Sequence, residues 1–262
     1  MILAASCKSG DYLAMMYSLC PEIAAAAPGD LHAAKAPDLR CVIRLGSERS
    51  PGMLNFADIA AAATAESRKH LTELQTELQF DEPINIQFTS GTTGNPKGAT
   101  LTHHNILNNG FFIGEAMRLN EQDKLCIPVP LYHCFGMILG NLACITHRAC
   151  MVQPGEGFDP RAALETVAEE RCTGLHGVPT MLIALLDHPD FAKFDLSSLR
   201  AGIMAGSPCP IEVMKRCTEK MHMREITIAY GMTETSPVSF QSATDDPIER
   251  RVSTIGRIQP HL

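Results

Sequence analysis

Hydrophobic and polar positions along most of the chain follow two different periods, which predicts strands alternating with helices. Short apolar or period-two runs bounded by turn residues are typical of strands. We predict strands at 84–88, 124–129, 149–153, 173–176, 201–205 and 226–229. Longer segments, some opened by a capping side chain or a proline, are typical of helices. We predict helices at 66–79, 103–119, 135–146, 160–171, 180–187 and 211–222.

This alternation predicts an α/β fold with a mostly parallel sheet and helices on both of its faces. Ligands of such sheets bind beyond the carboxyl ends of the strands, so the loops that follow strands are the places to look for a site. We expect five such loops to line one edge of the sheet. They are residues 89–98, 130–136, 177–180, 206–210 and 230–237.

Composition places the chain among globular proteins, since 45% of its 262 residues are hydrophobic and 19% are charged. One large or two small domains fit this length. Residues 1–82 are Ala-rich and weakly patterned, and we interpret them as a lead-in to a site-bearing segment at 83–262. The net charge of −7 argues against a nucleic-acid partner, because such binding needs clustered cations. A local phosphate site needs only one or two cations and oriented N–H groups, and so remains open.

Ten cysteines occur without a C-x-x-C pair, which indicates buried, reduced thiols and gives no support for a metal site built from Cys or His. The most apolar stretch, 134–145, is too short to span a membrane and contains Asn141, so we predict a buried helix there. The first residues have no basic segment before a short apolar run, and no Arg occurs before Arg40. On these features we expect neither a secretory signal nor a mitochondrial transit peptide in this chain.

A phosphate-binding loop is indicated by Thr89-Ser90-Gly91-Thr92-Thr93-Gly94-Asn95-Pro96-Lys97-Gly98. Glycines let backbone N–H groups approach an anion, hydroxyls add donors, and Lys97 adds positive charge. A helix is expected just after the loop, with its positive dipole end nearby. The spacing is not that of a Walker A loop, because Pro96 stands where that pattern requires the second glycine. The alternative, an ordinary flexible loop, is disfavoured by the strand before it and the lysine within it.

Two further loops carry chemistry that suits a nucleotide. In Tyr230-Gly231-Met232-Thr233-Glu234, the carboxylate is a candidate Mg²⁺ ligand, the Thr233 hydroxyl a phosphate donor and Tyr230 a flat face for a base. Taken alone, Glu234 is more often a solvated loop carboxylate. The tight stretch around Ser207 and Pro208 suits close contact with a ring, although alone it also reads as a turn before a helix.

Together, these segments resemble the adenylate-forming superfamily, which contains acyl-CoA synthetases, luciferases and peptide-synthetase adenylation domains. Residues 89–98 resemble its phosphate-loop signature, and 230–234 its Y-G-x-T-E motif. Pro130-Leu131-Tyr132-His133 resembles its P-L-x-H motif, and 177–180 and 205–208 resemble its acyl-pocket and adenine-contacting stretches. Five motifs occur in the family's order over residues 83–260. Within the superfamily, the chain is most similar to mitochondrial medium-chain acyl-CoA ligases.

The resemblance implies ATP-dependent conversion of a medium-chain fatty acid to acyl-AMP and then to acyl-CoA, with Mg²⁺ and coenzyme A. It implies that residues 89–94 and Lys97 hold the β- and γ-phosphates, and that Thr233 and Glu234 serve the α-phosphate and the metal. Ser207, Pro208, Tyr230 and Gly231 would border the nucleotide. Four residues would border the fatty acid, namely His133, Phe135, Gly177 and Val178. Lys97, Thr233, Glu234 and His133 would be catalytic.

The chain also departs from the family pattern, because no T-G-D motif follows Glu234 and no lysine-bearing C-terminal lid is present. We therefore expect an incomplete adenylation domain over 1–262, with weak or no activity of its own. The alternative is an inactive nucleotide-binding or regulatory module. The resemblance points to mitochondria, whereas the N-terminus points to the cytoplasm. The expected partners are small molecules.

Overall fold

A computed structural model describes residues 1–7, 9–90 and 94–262. The chain divides into two compact units, Met1–Leu78 and Gln79–Leu262. Among its described residues, the first unit contains a 3₁₀-helix (Pro21–Ala24), five short strands and three α-helices. These are β1 (Ile2–Leu3), β2 (Ser6–Cys7), β3 (Gly10–Asp11), α1 (Tyr12–Leu19), β4 (Ile43–Arg44), β5 (Leu54–Asn55), α2 (Phe56–Ile59) and α3 (Ala65–Glu77).

The first unit is more ordered than its weak pattern indicates. Strands β1, β4 and β5 form a parallel sheet, and a core is built around Met16, Cys20 and Ile23. Met16 lies in α1, Cys20 caps the C-terminus of that helix, and Ile23 lies in a separate 3₁₀-helix, Pro21–Ala24, so no single helical period marks them in the sequence. The exposed helix predicted at 66–79 is confirmed as α3, which begins at a capping box formed by Thr64 and Ser67.

The second unit contains the alternating strands and helices that the sequence predicts, together with further strands and a helix that it does not. They are β6 (Pro83–Thr89), β7 (Lys97–Thr102), α4 (His103–Met117), β8 (Lys124–Cys126), a π-helix (Phe135–Leu142), α5 (Ala143–His147), β9 (Cys150–Val152), α6 (Pro160–Glu170), β10 (Gly174–Leu175), α7 (Pro179–Leu186), β11 (Ala201–Ala205), α8 (Ile211–Lys220), β12 (Glu225–Gly231), β13 (Val238–Gln241), α9 (Ile248–Ser253) and β14 (Arg257–Ile258).

Seven strands form the main sheet, in the order β14-β13-β12-β11-β10-β8-β9. The five strands from β12 to β9 are parallel, and β13 and β14 add an antiparallel edge that the sequence analysis missed. One buried cluster includes Ile113 of α4 and Ile138 of the π-helix, and a second includes Leu164 of α6 and Met214 of α8. The prediction of a mostly parallel sheet with helices on both faces is therefore confirmed.

A charged cluster holds the amino ends of the parallel strands together. Arg200, just before β11, donates to both carboxylate oxygens of Asp123, which precedes β8, and to Glu225 at the start of β12. Burial opposes ionisation of Asp123, but the bonds from Arg200 and Thr173 outweigh it and lower the pKa of that carboxyl. This cluster lies at the opposite end of the strands from the loops of interest.

The hairpin of β6 and β7 corrects one sequence prediction. Its strands pair antiparallel, with Thr89 opposite Lys97, so the glycine-rich loop joins two strands rather than a strand and a helix. Helix α4 begins only at His103, capped by Thr102 at the far end of β7. Six residues of strand separate that N-terminus from the loop by about 20 Å, and a helix dipole acts only within its first turn. The helix therefore contributes no dipole to the loop.

The same hairpin turns its polar face inward. Phe88 is 76% exposed and Ile86 is 59% exposed, whereas Gln87 is 8% exposed and donates to the sulfur of Met137 at 3.5 Å. Alternation correctly predicts the strand, but it does not tell which face is covered, because period two is the same for either orientation.

Asn109 joins α4 to β13. Its side-chain amide donates to the Val238 carbonyl at 2.8 Å, and its carbonyl oxygen accepts the Val238 N–H at 3.0 Å, with both groups buried. The amide thus satisfies both main-chain groups of Val238, as a neighbouring strand would.

We expect Asn109→Ala to destabilise the second unit by about 2–4 kcal/mol, because it leaves a buried N–H and a buried C=O without partners. Asn108→Ala is the matched control, since within the described residues the Asn108 side chain bonds to His104 on its own helix. Urea denaturation of both variants measures the effect. Equal loss of stability in the two variants would show that the bonds to Val238 contribute nothing specific.

Candidate active site

A cavity of about 420 Å³ lies beyond the carboxyl ends of β11 and β12. Three of the five sequence-predicted loops, 89–98, 130–136 and 230–237, contribute to its wall, and a fourth contributes Gly206. The lining residues are Thr89, Ser90, Lys97, His133, Cys134, Phe135, Leu139, Ala205, Gly206, Ala229, Tyr230, Gly231, Met232, Thr233, Glu234, Pro237 and Val238. The edge of the sheet that the parallel topology indicates is thus where the candidate residues gather.

The predicted phosphate loop contributes the residues at its two ends. Thr89 and Lys97 lie side by side because they pair across the hairpin, and Ser90 follows on the cavity wall. Gly94 is exposed and is not among the lining residues, and 91–93 (Gly91, Thr92 and Thr93) lie outside the described residues. The lysines that form ion pairs in the described part of the chain do not include Lys97, and they are Lys69, Lys124, Lys193 and Lys215.

The acidic turn Thr233–Thr235 faces this hairpin. Cα atoms of β7 come within 8 Å of Cα atoms of the turn. Thr235 holds the turn by donating to the Pro237 carbonyl at 2.7 Å and accepting the Met232 N–H at 3.2 Å. Gly231 is required before it, since a Cβ there would stand 1.8 Å from the Pro237 oxygen. The exposed Glu234 carboxylate and Lys97 therefore line one cavity from two segments.

His133 and Cys134 connect the acidic turn with an apolar compartment. The Phe135 N–H donates to His133 Nδ1 at 3.1 Å, which places the ring proton on Nε2. Partial desolvation lowers the pKa of His133, so the ring is neutral at pH 7. The Cys134 sulfur lies 3.6 Å from the Thr233 hydroxyl, and burial raises the pKa of this thiol. The adjoining walls are apolar and come from Phe135, Leu139, Ala205, Ala229 and Val238.

A second cavity, of about 660 Å³, adjoins the first. Gly206, Ala229, Tyr230 and Gly231 line both, and Ser207 and Pro208 lie on the second. The rest of its wall includes 252–255, a segment within the family resemblance to which the sequence analysis assigned no role in the site. Ser207, Pro208 and Tyr230 are thus brought together as expected.

Gly177 and Val178 line neither of the two cavities, but they pack against residues next to them. Val178 Cγ1 would stand 3.1 Å from a Cβ on Gly206, and the Gly177 N–H bonds to the Ile203 carbonyl at 3.1 Å. Sequence analysis also missed His176, a fully buried histidine beside Phe135. The signal for it was a histidine at the end of an otherwise apolar strand.

Residues 17–262 match the model of a protein family described as AMP-binding enzyme. The chain belongs to that family. YngI of Bacillus subtilis (strain 168) is 50% identical over 261 residues, which are 100% of this chain and 47% of YngI. A Danio rerio protein named medium-chain acyl-CoA ligase ACSF2, mitochondrial, is 46% identical over 256 residues, which are 97% of this chain and 42% of that protein. The chain thus spans less than half the length of either relative.

A comparison with solved structures agrees with the fold described above for this chain. The anthranilate CoA ligase AuaEII, in complex with anthranoyl-AMP, matches with a TM-score of 0.71 at 23% identity over 84% of this chain and 41% of that one. The two chains therefore share this α/β fold over the matched region. Among the described residues, we find no helix with the length and hydrophobicity needed to cross a membrane.

The buried histidine of this family member predicts a pH dependence of stability. Burial lowers the pKa of His176 from 6.5 to about 4. Between these values the unfolded chain binds a proton that the folded chain does not, so stability present above pH 6.5 is lost as the pH falls towards 4. We expect a loss of roughly 2 kcal/mol from pH 7 to pH 5 that is missing in His176→Gln.

His70→Gln, on the exposed helix α3, is the matched control and should keep the full dependence. Urea denaturation at both pH values measures it. The same slope in His176→Gln and in the unmodified chain would contradict the assignment.

Proposed function

We propose that this protein activates a medium-chain fatty acid, using Mg²⁺ and ATP to form acyl-AMP and then coenzyme A to form the thioester. The observation that carries the proposal is the single cavity lined by the Lys97 hairpin, the Thr233–Glu234 turn and an apolar compartment at His133. A polyanion, a divalent cation and an alkyl carboxylate each find suitable chemistry in that arrangement.

The triphosphate would lie between the hairpin and the acidic turn. Lys97 and the Ser90 hydroxyl suit the β- and γ-phosphates, because cations and hydroxyl donors stabilise charge that develops on phosphate oxygens. The adenine would occupy the second cavity beside Ser207, Pro208 and Tyr230, since this cavity shares Tyr230 and Gly231 with the first as lining residues.

Glu234 fits a magnesium ion by the nature of its donor. Mg²⁺ is commonly held by one or two carboxylates together with substrate phosphates and waters. The described residues contain no group of three or more His, Cys, Asp or Glu side chains poised for a metal, so a metal here would depend on the nucleotide for its other ligands. A bound Mg²⁺ would neutralise part of the negative charge on the phosphate oxygens.

In the first step, a carboxylate oxygen of the fatty acid bonds to the α-phosphorus, and the bond from that phosphorus to pyrophosphate breaks. His133 presents its Nε2–H and no positive charge, so it can orient the carboxylate without pairing with it as an ion. The buried Thr233 hydroxyl suits an α-phosphate oxygen.

In the second step, the coenzyme A thiol loses its proton to solvent, its sulfur bonds to the acyl carbon, and AMP leaves with the electrons of the acyl–oxygen bond. The neighbouring walls from Phe135, Leu139 and Val238 would exclude water from the acyl phosphate meanwhile. The described cavity offers no residue that we assign to thiol activation.

Our proposals for the length of the fatty acid and for the cellular compartment are based on the names of relatives. The Danio rerio relative is named as a mitochondrial medium-chain ligase, while YngI is bacterial. We propose medium-chain acids as substrates on that ground, and a mitochondrial location where the host cell has mitochondria.

We expect Lys97→Ala to weaken ATP binding about 10- to 100-fold, because it removes a charge-assisted hydrogen bond to phosphate. AMP binding should change less than threefold, since AMP lacks the phosphates assigned to Lys97. Lys220→Ala, at the exposed end of α8, is the matched control. Isothermal titration with both nucleotides measures the effect. Equal losses for ATP and AMP would remove Lys97 from the β- and γ-phosphates.

The reaction itself is tested by pyrophosphate–ATP exchange driven by octanoate. Exchange that depends on octanoate and is lost in Lys97→Ala supports acyl activation. ATP binding without exchange would favour a nucleotide-binding module instead.

A further inference from the structure

His176 lies in the interior with both ring nitrogens bonded to the main chain. The Ile203 N–H of β11 donates to Nδ1 at 3.2 Å, and Nε2 lies 2.9 Å from the Leu139 carbonyl oxygen of the π-helix. The ring is fully buried. Because Nδ1 accepts a hydrogen bond, the single ring proton of the neutral form is on Nε2, where it is donated to Leu139.

The Nδ1 side of the His176 ring takes part in the hydrogen bonding between β10 and β11. Gly174 pairs with Ala201 and Gly177 pairs with Met204, and between these pairs the Ile203 N–H bonds to the imidazole instead of to a neighbouring strand. The imidazole therefore occupies a position in the ladder that a main-chain carbonyl would ordinarily fill.

The Nε2 side of the ring contacts the π-helix through the Leu139 carbonyl. That helix supplies Phe135 and Leu139 to the apolar wall of the first cavity, and the Phe135 ring centroid lies 5.4 Å from that of His176. The extra residue that a π-helix contains in each turn alters its side-chain directions, so the placement of these two side chains depends on what holds the helix. His176 is not itself a lining residue of this cavity, and it acts only through its contacts with Phe135 and Leu139.

We propose that His176 is a positioning residue, whose hydrogen bond to Leu139 fixes the π-helix against the sheet and thereby sets the wall along which the acyl chain lies. This inference rests on the proposed function, because it presupposes that an acyl chain occupies the apolar compartment. The pKa of His176, lowered by burial to about 4, agrees with a ring that stays neutral in this role.

Two substitutions separate the bonds of the ring. Asn carries its polar atoms at the distance of Nδ1, so His176→Asn keeps an acceptor for Ile203 and loses the reach to Leu139. Gln carries its polar atoms at the distance of Nε2, so His176→Gln keeps a donor for Leu139 and loses the acceptor. Each variant leaves one buried group without its partner and so has a similar cost to folding.

The probes are octanoyl and acetyl sulfamoyl adenosines, stable acyl-AMP mimics that differ only in chain length. In the unmodified chain we expect the octanoyl compound to bind more tightly. His176→Asn should reduce this octanoyl preference about tenfold, and His176→Gln less than threefold. A purely structural role would weaken both ligands together and leave the preference unchanged.

The outcomes distinguish the two proposals. An unmodified chain that shows no octanoyl preference would contradict the proposed function. A clear preference that both variants retain, or that both lose equally, would overturn the role of His176 alone.

If the variants fail to fold, a measurement on the unmodified chain tests the same proposal. Nitrogen-15 spectra of the histidine rings should show His176 neutral at pH 5.5 with its proton on Nε2. The octanoyl compound should shift its Nε2 resonance and the acetyl compound should not. A protonated ring, the Nδ1–H tautomer or equal responses to the two compounds would overturn the proposal.

Discussion

The approach of the β6–β7 hairpin to the turn Thr233–Thr235 is the constraint on which the candidate site depends. The two segments lie more than 130 residues apart, yet Lys97 and Glu234 line the same cavity. Both side chains are exposed to solvent, so neither depends on the other to compensate its charge. The cavity between them is suited to a ligand that carries negative charge towards Lys97 and a cation towards Glu234.

That approach is held by groups that take no part in the chemistry. Asn109 fastens α4, which continues directly from β7, to Val238, which follows the acidic turn. The hairpin and the turn are thus tied through one buried amide, although β6 and β7 form a two-stranded sheet separate from the main one. At the other end of the strands, Arg200 gathers the carboxylates of Asp123 and Glu225. This stabilising cluster of charged side chains lies at the amino ends of the parallel strands, whereas the loops at their carboxyl ends form the cavity.

Much of this could be predicted from local pattern and from topology. Asp159 and Pro160 open α6 as the sequence indicates, and the rule for parallel strands directs attention to the loops that form the cavity. The hairpin partner β7 could not be found in this way, because its residues read as the end of a loop and the start of a helix. The edge strands β13 and β14 are short, and their pairing depends on a turn at Ser236 and Pro237 that no period reveals. Asn109 and His176 were missed because their partners are main-chain groups distant in sequence.

The two histidines beside the apolar compartment share one device. In each, a main-chain N–H occupies Nδ1, from Phe135 in His133 and from Ile203 in His176, so the ring proton is fixed on Nε2. Desolvation lowers the pKa of both rings, which removes positive charge at neutral pH. A cationic imidazole beside an alkyl pocket would hold a carboxylate as an ion pair and reduce its reactivity as a nucleophile. A neutral Nε2–H orients an oxygen and leaves its lone pairs available. The fold thus sets the tautomer of both rings through its own backbone.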